Sequence, residues 1–261
     1  MSNASEPMEL ACLVRHARRY WSSDSGCAVR RSERACLGPL AERWCGQHGL
    51  EMSLAEPLAD MSAVRHWIRW SPTRELAESS STLVCRPERL ALPDGAMDVV
   101  VLNHLLEVVS HPHQLLQEAA RVVSPQGRLV LLGWSPLSSS GLMRVRPRRR
   151  RQLPGQGVWR TPRTMKDWLQ FVDFEIERVD YCRFRLPGLA GGNGMLETLG
   201  RRHNLPLGDC YIIQARCRSQ LACTQGKRPL FGLPVGNTAL GTTRLEPSVR
   251  QTPKQKKVAM R

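Results

Sequence analysis

Short apolar runs recur along the chain between polar segments, and their spacing predicts alternating strands and helices. Strands are expected at "LEMSLAEP", "AVRHWIRW", "STLVC", "MDVVVLN", "RLVLLGW", "FEIERVDYCRF" and "CYIIQARC". The fourth run is apolar at successive positions, which is typical of a strand covered on both faces. The pattern therefore predicts an α/β fold with a mostly parallel, seven-stranded sheet between helices. The last two strands, at 174–184 and 210–217, are expected to pair antiparallel at the edge.

The helices are predicted from their caps and from the periodicity of their apolar positions. In "HPHQLLQEAARVVSPQG", Pro112 suits the first helical turn and Gly127 follows the end. Thr161 caps a second helix, with Pro162 at its first position. Ser32 is expected to cap a third helix, which would end near residues 46–49. These helices alternate with the strands, as a sheet covered on both faces requires.

Length and composition are consistent with one large domain and flexible ends. The 261 residues are 41% hydrophobic, which is enough for a sizeable core. We assign residues 1–30 to an N-terminal extension, 31–219 to the folded domain and 220–261 to a basic, disordered tail. The chain shows neither a signal peptide nor a run of 18 apolar residues, so a cytoplasmic protein is expected.

The cysteines predict free thiols and no metal site. The chain has nine cysteines, an odd number with irregular spacing and no C-x-x-C pair. No Cys/His spacing repeats a zinc pattern. Free thiols in a reducing compartment follow from this usage.

A net charge of +15 favours contact with anions. Much of the excess lies after residue 216 and in a basic loop at 144–160. This loop holds six arginines that could bind RNA or another polyanion: Arg144, Arg146, Arg148, Arg149, Arg150 and Arg151. The alternative is a solvated loop whose like charges repel one another. No aromatic residues are interleaved, so stacking on single strands is not indicated.

The first candidate functional residues lie where the fourth predicted strand ends. Asn103 and His104 directly follow its apolar run. Ligands of parallel sheets bind at the carboxyl ends of the strands, and a ligand would supply the hydrogen-bond partners that a core lacks. The alternative is that both side chains cap the next helix or face water.

The segment around this strand end carries a family resemblance. Residues 88–135 are similar throughout to the Rossmann-like, S-adenosylmethionine-dependent methyltransferases of the type-11 group. The matching positions are Asp98, Glu118, Arg121, Val122, Pro125 and Gly127. A looser resemblance over residues 20–220, including "WSSDSG" and Glu33, is to a bacterial subgroup of small type-11 proteins.

The resemblance implies a Rossmann-like, doubly wound sheet with an antiparallel last strand, and S-adenosylmethionine as cofactor. It implies methyl transfer to an unspecified acceptor, with His104 as the candidate base or orienting group. Glu107 would hold either His104 or the backbone. The positions that the resemblance places at the cofactor are Ala55, Glu56, Ser71, Glu88, Leu90, Asn103 and His104.

Three departures from the family pattern keep a second hypothesis open. Ala55, Glu56 and Pro57 stand where the family has a glycine-rich turn. Ser71 stands near the position at which the family has a carboxylate that binds the ribose. Arg86 replaces the carboxylate that accepts from adenine, and an arginine has no acceptor. The alternative is an inactive, methyltransferase-fold protein that binds RNA or another polyanion through the arginine run.

Overall fold

A seven-stranded mixed sheet forms the centre of the protein. The computed structural model describes residues 6–54, 56–58, 62–77, 81–143, 157–184 and 194–218. The strands are β1 (Cys45–Ser53), β2 (Ala63–Ser71), β3 (Thr82–Val84), β4 (Met97–Asn103), β5 (Val123–Trp134), β6 (Phe174–Cys182) and β7 (Cys210–Cys217). Their order is β3-β2-β1-β4-β5-β7-β6.

The strand directions confirm the predicted fold class. The pairs β3–β2, β2–β1, β1–β4 and β4–β5 are all parallel. Strand β7 lies between β5 and β6 and is antiparallel to both. Such a reversal lets β7 follow β6 through a connection that stays at one edge of the sheet.

From residue 6 onward, two helices precede the sheet, α1 (Glu6–Trp21) and α2 (Asp24–Ala41). The predicted cap at Ser32 is wrong, because Ser32 lies inside α2. The cap is Ser23, whose side chain accepts a hydrogen bond from the backbone N–H of Gly26, and Asp24 places a carboxylate in the first turn. The sequence "SDSG" therefore starts the helix earlier than its apolar periodicity indicates.

Within the described residues, four helices follow β4. Helix α3 (Pro112–Val122) begins at the predicted proline, and a short α4 (Ser139–Met143) follows β5. Helix α5 (Pro162–Phe171) is capped as predicted by Thr161, which accepts from the backbone N–H of Thr164. Helix α6 (Gly194–Arg202) was not predicted, because its glycine-rich surroundings resemble a loop.

The β1–β2 connection is short for a parallel crossover. It comprises residues 54–62, whereas a parallel connection is usually a helix of a dozen or more residues. The face that such a helix would cover is covered by α2, which precedes β1. Val29 and Leu37 of α2 pack there against Val64 of β2 and Val101 of β4.

The other face is covered by α1, α3 and α5. Leu10 and Val14 of α1 share one buried cluster with Leu115 of α3 and Leu169 of α5. Although residues 1–30 were assigned to an extension, α1 thus contributes to the same core as the sheet. Among the described residues, no helix is both long and apolar enough to cross a membrane.

Candidate functional site

The carboxyl end of β4 brings polar groups into the interior. Asn103 is completely buried, and neither its side-chain oxygen nor its nitrogen has a hydrogen-bond partner among the described residues. Its backbone carbonyl accepts a hydrogen bond of 3.4 Å from Leu54, which follows β1. A buried amide without partners costs free energy, so this strand end offers unsatisfied polar groups to which a polar ligand could bind.

His104 continues the strand into a turn and lies between two carboxylates. Its φ is 53°, in the left-handed region, and its backbone N–H donates to Leu132 at 3.1 Å. Its Nε2 lies 2.7 Å from Glu33 Oε1, and its Nδ1 lies 3.1 Å from Glu107 Oε2. All three side chains are buried. We call Glu33, His104 and Glu107 the charged triad.

The two carboxylates make His104 an imidazolium. Burial alone would lower the pKa of His104, but the negative charges and hydrogen bonds of Glu107 and Glu33 outweigh it and raise the pKa to about 10. Both ring nitrogens then act as donors. A ring that is already protonated at neutral pH does not accept a proton, so the geometry favours the orienting role of His104 over the role of base.

Glu107 links this triad to the next strand. Its Oε1 accepts a hydrogen bond of 2.6 Å from the backbone N–H of Trp134, at the end of β5. Gly133 leaves room for the contact, because a Cβ there would lie 3.2 Å from Glu107 Oε1 and 2.6 Å from the Tyr211 hydroxyl. Glu107 thus holds both His104 and the backbone, and the triad joins α2, β4 and β5.

Aromatic rings surround the triad. The ring centroids of Trp21 and Trp134 lie 5.0 Å and 4.9 Å from that of His104. Trp134 also stacks on Trp159 at 5.4 Å, and Tyr20 meets it edge-on at 6.3 Å. These rings make a low-dielectric surrounding in which the charges of the triad interact strongly.

One thiol lies beside the triad. Ligand atoms of Glu33, His104 and Cys210 all lie within 4.8 Å of one another. Burial raises the pKa of the Cys210 thiol, which disfavours the thiolate that binds metals. A metal ion would also have to replace the hydrogen bond between Glu33 and His104. As it stands, the group is an ion-pair cluster with a neutral thiol beside it.

A small cavity opens at the carboxyl ends of β2 and β3. It has a volume of about 50 Å³ and is lined by Arg86 and Glu88, by Pro72, and by Leu10 and Leu13 of α1. Small-molecule pockets usually measure roughly 300 Å³ or more. A nucleoside-sized ligand therefore fits this cavity only if the lining elements move apart.

The other predicted binding residues are placed differently. Glu56 pairs with Arg30 of α2, and the Ser71 hydroxyl donates to the carbonyl of Thr73 at 2.8 Å. Leu90 is a core residue whose backbone N–H donates to Glu118 at 2.9 Å. Ala55 and the arginines at 144–151 lie outside the described residues. Of the seven predicted cofactor positions, the structure brings Asn103 and His104 together and puts Glu88 in the small cavity.

Sequence reasoning did not place Glu33 in the site. The signal was a carboxylate on the apolar face of α2, where Val29 and Leu37 are neighbours at helical spacing. A glutamate at such a position is buried only when it is paired, so it predicts a partner. The partner itself lies 71 residues away and could not be read from local pattern.

The chain is similar to known proteins over most of its length. Residues 54–131 match the family model of a methyltransferase domain. Over 222 residues, covering 84% of this chain and 88% of the relative, the chain is 29% identical to the uncharacterised protein YafS of Escherichia coli. Over 63 residues it is 36% identical to the ubiquinone/menaquinone biosynthesis C-methyltransferase UbiE of Paraburkholderia phymatum, covering 23% of this chain and 26% of the relative.

Solved structures share the architecture. A S-adenosylmethionine-dependent methyltransferase from Thermotoga maritima superposes with a TM-score of 0.54 at 16% identity, covering 80% of this chain and 93% of the other. The likeness shows a Rossmann-like fold, and residues 54–131 of it match the methyltransferase-domain model of the type-11 group; the Thermotoga protein is described as using S-adenosylmethionine.

The residues at the end of β4 fit that cofactor. Its amino-acid end carries an ammonium and a carboxylate, and the Asn103 amide offers one acceptor and two donors without partners among the described residues. Glu88 supplies an acceptor in the neighbouring cavity. The backbone carbonyl of Asn103 accepts a hydrogen bond from Leu54, which holds the end of β1 beside the end of β4.

Proposed function

We propose that this chain is a cytoplasmic methyltransferase that uses S-adenosylmethionine to methylate an acceptor held at the carboxyl ends of β1 and β4. The observation that carries the proposal is Asn103, whose fully buried amide has no partner among the described residues and ends the central strand. The methyltransferase-domain match over residues 54–131 supports it.

The residues of this site position and shield rather than transfer protons. Asn103 binds the amino-acid end of the cofactor, and Glu88 accepts hydrogen bonds from its adenosine end. The cofactor supplies an already activated methyl group. His104, fixed by Glu33 and Glu107, sets the backbone that presents Asn103. Alignment of the reacting groups then provides most of the rate enhancement.

The wall of tryptophans excludes water from the charged triad. Trp21 and Trp134 are buried, and both contact the His104 ring. Because the ring is an imidazolium held by two carboxylates, no general base is assigned to His104. An acceptor with a deprotonated or readily deprotonated nucleophile fits this arrangement.

Calorimetric titration tests the proposal. S-adenosylmethionine and S-adenosylhomocysteine should bind the purified chain with micromolar Kd values. Asn103→Ala should weaken both by about tenfold, the equivalent of one lost hydrogen bond to a charged group. Gln117→Ala, at an exposed position of α3, serves as the control and should bind like the wild type.

The absence of binding near millimolar ligand would contradict the proposal. It would favour the alternative of a non-catalytic protein on the same fold. In that case, binding of RNA should weaken steeply with salt, and replacing the arginines at 148–151 with serine should flatten the dependence.

A further inference from the structure

A groove lies at the edge of the sheet, where α2, β6 and α6 meet. It is lined by residues from 36–40 of α2, 178–181 of β6 and 197–202 of α6, and we call it the edge groove. Its volume is about 390 Å³, which is larger than the cavity at the ends of β2 and β3. Sites for small molecules usually measure roughly 300–1,000 Å³, so the edge groove has room for a small ligand.

The edge groove is separate from the strand end that carries Asn103. Strand β6 is the last strand of the sheet, and β5 and β7 lie between it and β4. Because neighbouring strands are about 4.8 Å apart, three spacings place β6 roughly 14 Å from β4. A ligand in the edge groove would therefore be additional to one that contacts Asn103.

Three arginines that line the edge groove have donors to spare. Arg178 contacts Asp180 through its Nε alone, at 2.7 and 2.9 Å, so its two terminal nitrogens have no partner among the described residues. Arg201 uses one Nη for the backbone carbonyl of Ala35, at 2.6 Å. Arg202 is exposed and makes no hydrogen bond or ion pair within the described part of the chain. Guanidinium N–H groups are therefore available in the groove.

The two carboxylates of the lining are already engaged. Both oxygens of Asp180 accept from the Nε of Arg178. Glu197 accepts from the backbone N–H groups of Arg183 and Phe184, at 3.0 and 2.7 Å, with one oxygen each. Three guanidiniums against two carboxylates leave the lining with one positive charge in excess. The available donors and the excess charge both favour an anion.

Helix α2 gives the edge groove an apolar wall. Leu40 and Cys36 are buried side chains of this wall, and Pro39 is half-buried. A hydrogen bond with Cys182 and burial raise the pKa of the Cys36 thiol, so the thiol is neutral and adds no charge. An apolar wall beside a few polar donors is the usual lining of a site for a small organic molecule.

We propose that the edge groove is a binding site for a small organic anion. The guanidiniums of Arg178, Arg201 and Arg202 hold its phosphate or carboxylate group, because the planar fork of arginine matches both oxyanions. Its apolar part lies against Pro39 and Leu40. Walls from three elements suit one small molecule, whereas a nucleic-acid backbone is bound by an extended basic surface. This site is independent of the methyltransferase function proposed above.

The test compares three probes that share a benzene ring and differ in the attached group. Phenyl phosphate and benzoate are anions, and benzyl alcohol is neutral. NMR titration measures the Kd of each for the wild type, for Arg202→Gln and for the control Arg163→Gln. Arg163 is exposed on α5, which covers the other face of the sheet. Both variants lose one positive charge, so only the position of the lost charge differs.

At least one anion should bind the wild type with a Kd of about 1 mM or lower, and benzyl alcohol about tenfold more weakly. Arg202→Gln should raise the Kd of that anion about tenfold, as expected for the loss of a charged hydrogen bond, and Arg163→Gln should leave it unchanged. The tighter of the two anions identifies the group that the arginines prefer. Saturating S-adenosylhomocysteine should not alter the Kd, whether or not the chain binds it.

The proposal is overturned if neither anion binds at about 10 mM, or if benzyl alcohol binds as tightly as both anions. Equal weakening in Arg202→Gln and Arg163→Gln would also overturn it, because the binding would then follow net charge and not the groove. A single-stranded RNA that displaces phenyl phosphate and loses affinity in Arg202→Gln would assign the arginines to a nucleic-acid surface instead. The exposed Arg202 has no contact of its own to lose, so the variant should fold.

Discussion

Glu33 Oε1 lies 2.7 Å from Nε2 of His104, although 71 residues separate them in the sequence. Both side chains are about 1% exposed. The contact fixes α2 to the carboxyl end of β4, and it takes the place that a crossover helix after β1 would have had beside the site. A buried ion pair adds little net stability, but the loss of one partner leaves an unpaired charge in the core.

Glu107→Gln should lower the free energy of unfolding by about 3 kcal/mol, because breaking a buried ion pair costs that order of energy. A glutamine retains an acceptor for the Trp134 N–H, but its amide cannot balance the His104 charge. Urea denaturation measures the difference. The exposed Glu42→Gln should change it by less than about 0.5 kcal/mol, and equal effects at the two positions would show that the triad is not charged.

The stability of the protein should decline as the pH rises from about 6.5 to about 10. The unfolded chain releases the His104 proton near 6.5, whereas the folded chain holds it until about 10, so the contribution is complete below 6.5 and is lost through this window. Between pH 6.5 and 7.5, below the range in which unfolded thiols and phenols titrate, the loss should be about 1 kcal/mol.

The control for this pH dependence is a second histidine. Urea titrations at several pH values should show that His104→Gln flattens the decline, while His203→Gln, at an exposed position, leaves it unchanged. A wild-type free energy of unfolding that is constant over this range would mean that His104 is neutral in the folded protein. NMR of the imidazole nitrogens reports the same titration directly.

The sequence predicted the β4–α3–β5 region well because local rules determine it. Strand β4 is predicted by four successive apolar residues, and the start of α3 by a proline at the first helical position. Strand β5 is predicted by the apolar run after Gly127. The start of α2 was misplaced because Ser23 and Ser32 are both acceptable caps, and only packing against the sheet decides between them. Helix α6 was missed because glycine lowers helix propensity.

Only those residues of the candidate site that lie close together in the sequence were predicted. Asn103, His104 and Glu107 lie within one turn of the same segment, and their strand end could be located from pattern. Glu33, Trp21 and Trp134 reach His104 from other elements, and such contacts depend on how α2 replaces the crossover helix. The position of α2 depends on tertiary packing, which the spacing of apolar residues within one helix or strand does not predict.

Asn103→Leu should raise stability and lower cofactor affinity at once. Removing a buried amide without partners should increase the free energy of unfolding of the ligand-free protein by about 1–2 kcal/mol. The same change removes the groups proposed to hold the amino-acid end of the cofactor, so its Kd should rise by about tenfold or more. Denaturation and calorimetry on one preparation check both directions. A destabilised variant would indicate that the amide has partners in solution.

Gly26→Ala should open the corner between α1 and α2. A Cβ at position 26 would lie 2.2 Å from the carbonyl oxygen of Tyr20 and 2.7 Å from the Cα of Trp21, so the backbone of α1 must move. We expect a loss of about 2 kcal/mol in the free energy of unfolding, as for other overpacked contacts. Because Trp21 contacts the His104 ring, the tryptophan fluorescence of the folded variant should also change.

Gly38→Ala, in the same helix, is the matched control for the corner. A Cβ there meets nothing within 4 Å beyond its chain neighbours. The gain of about 1 kcal/mol in helix propensity is opposed by the ring of Pro39, which disfavours a helical residue with a Cβ before it. The net change should therefore stay near zero, with unaltered fluorescence. If Gly26→Ala were equally neutral, the end of α1 would not lie against the first turn of α2. That contact would then not be what holds Trp21 against the His104 ring.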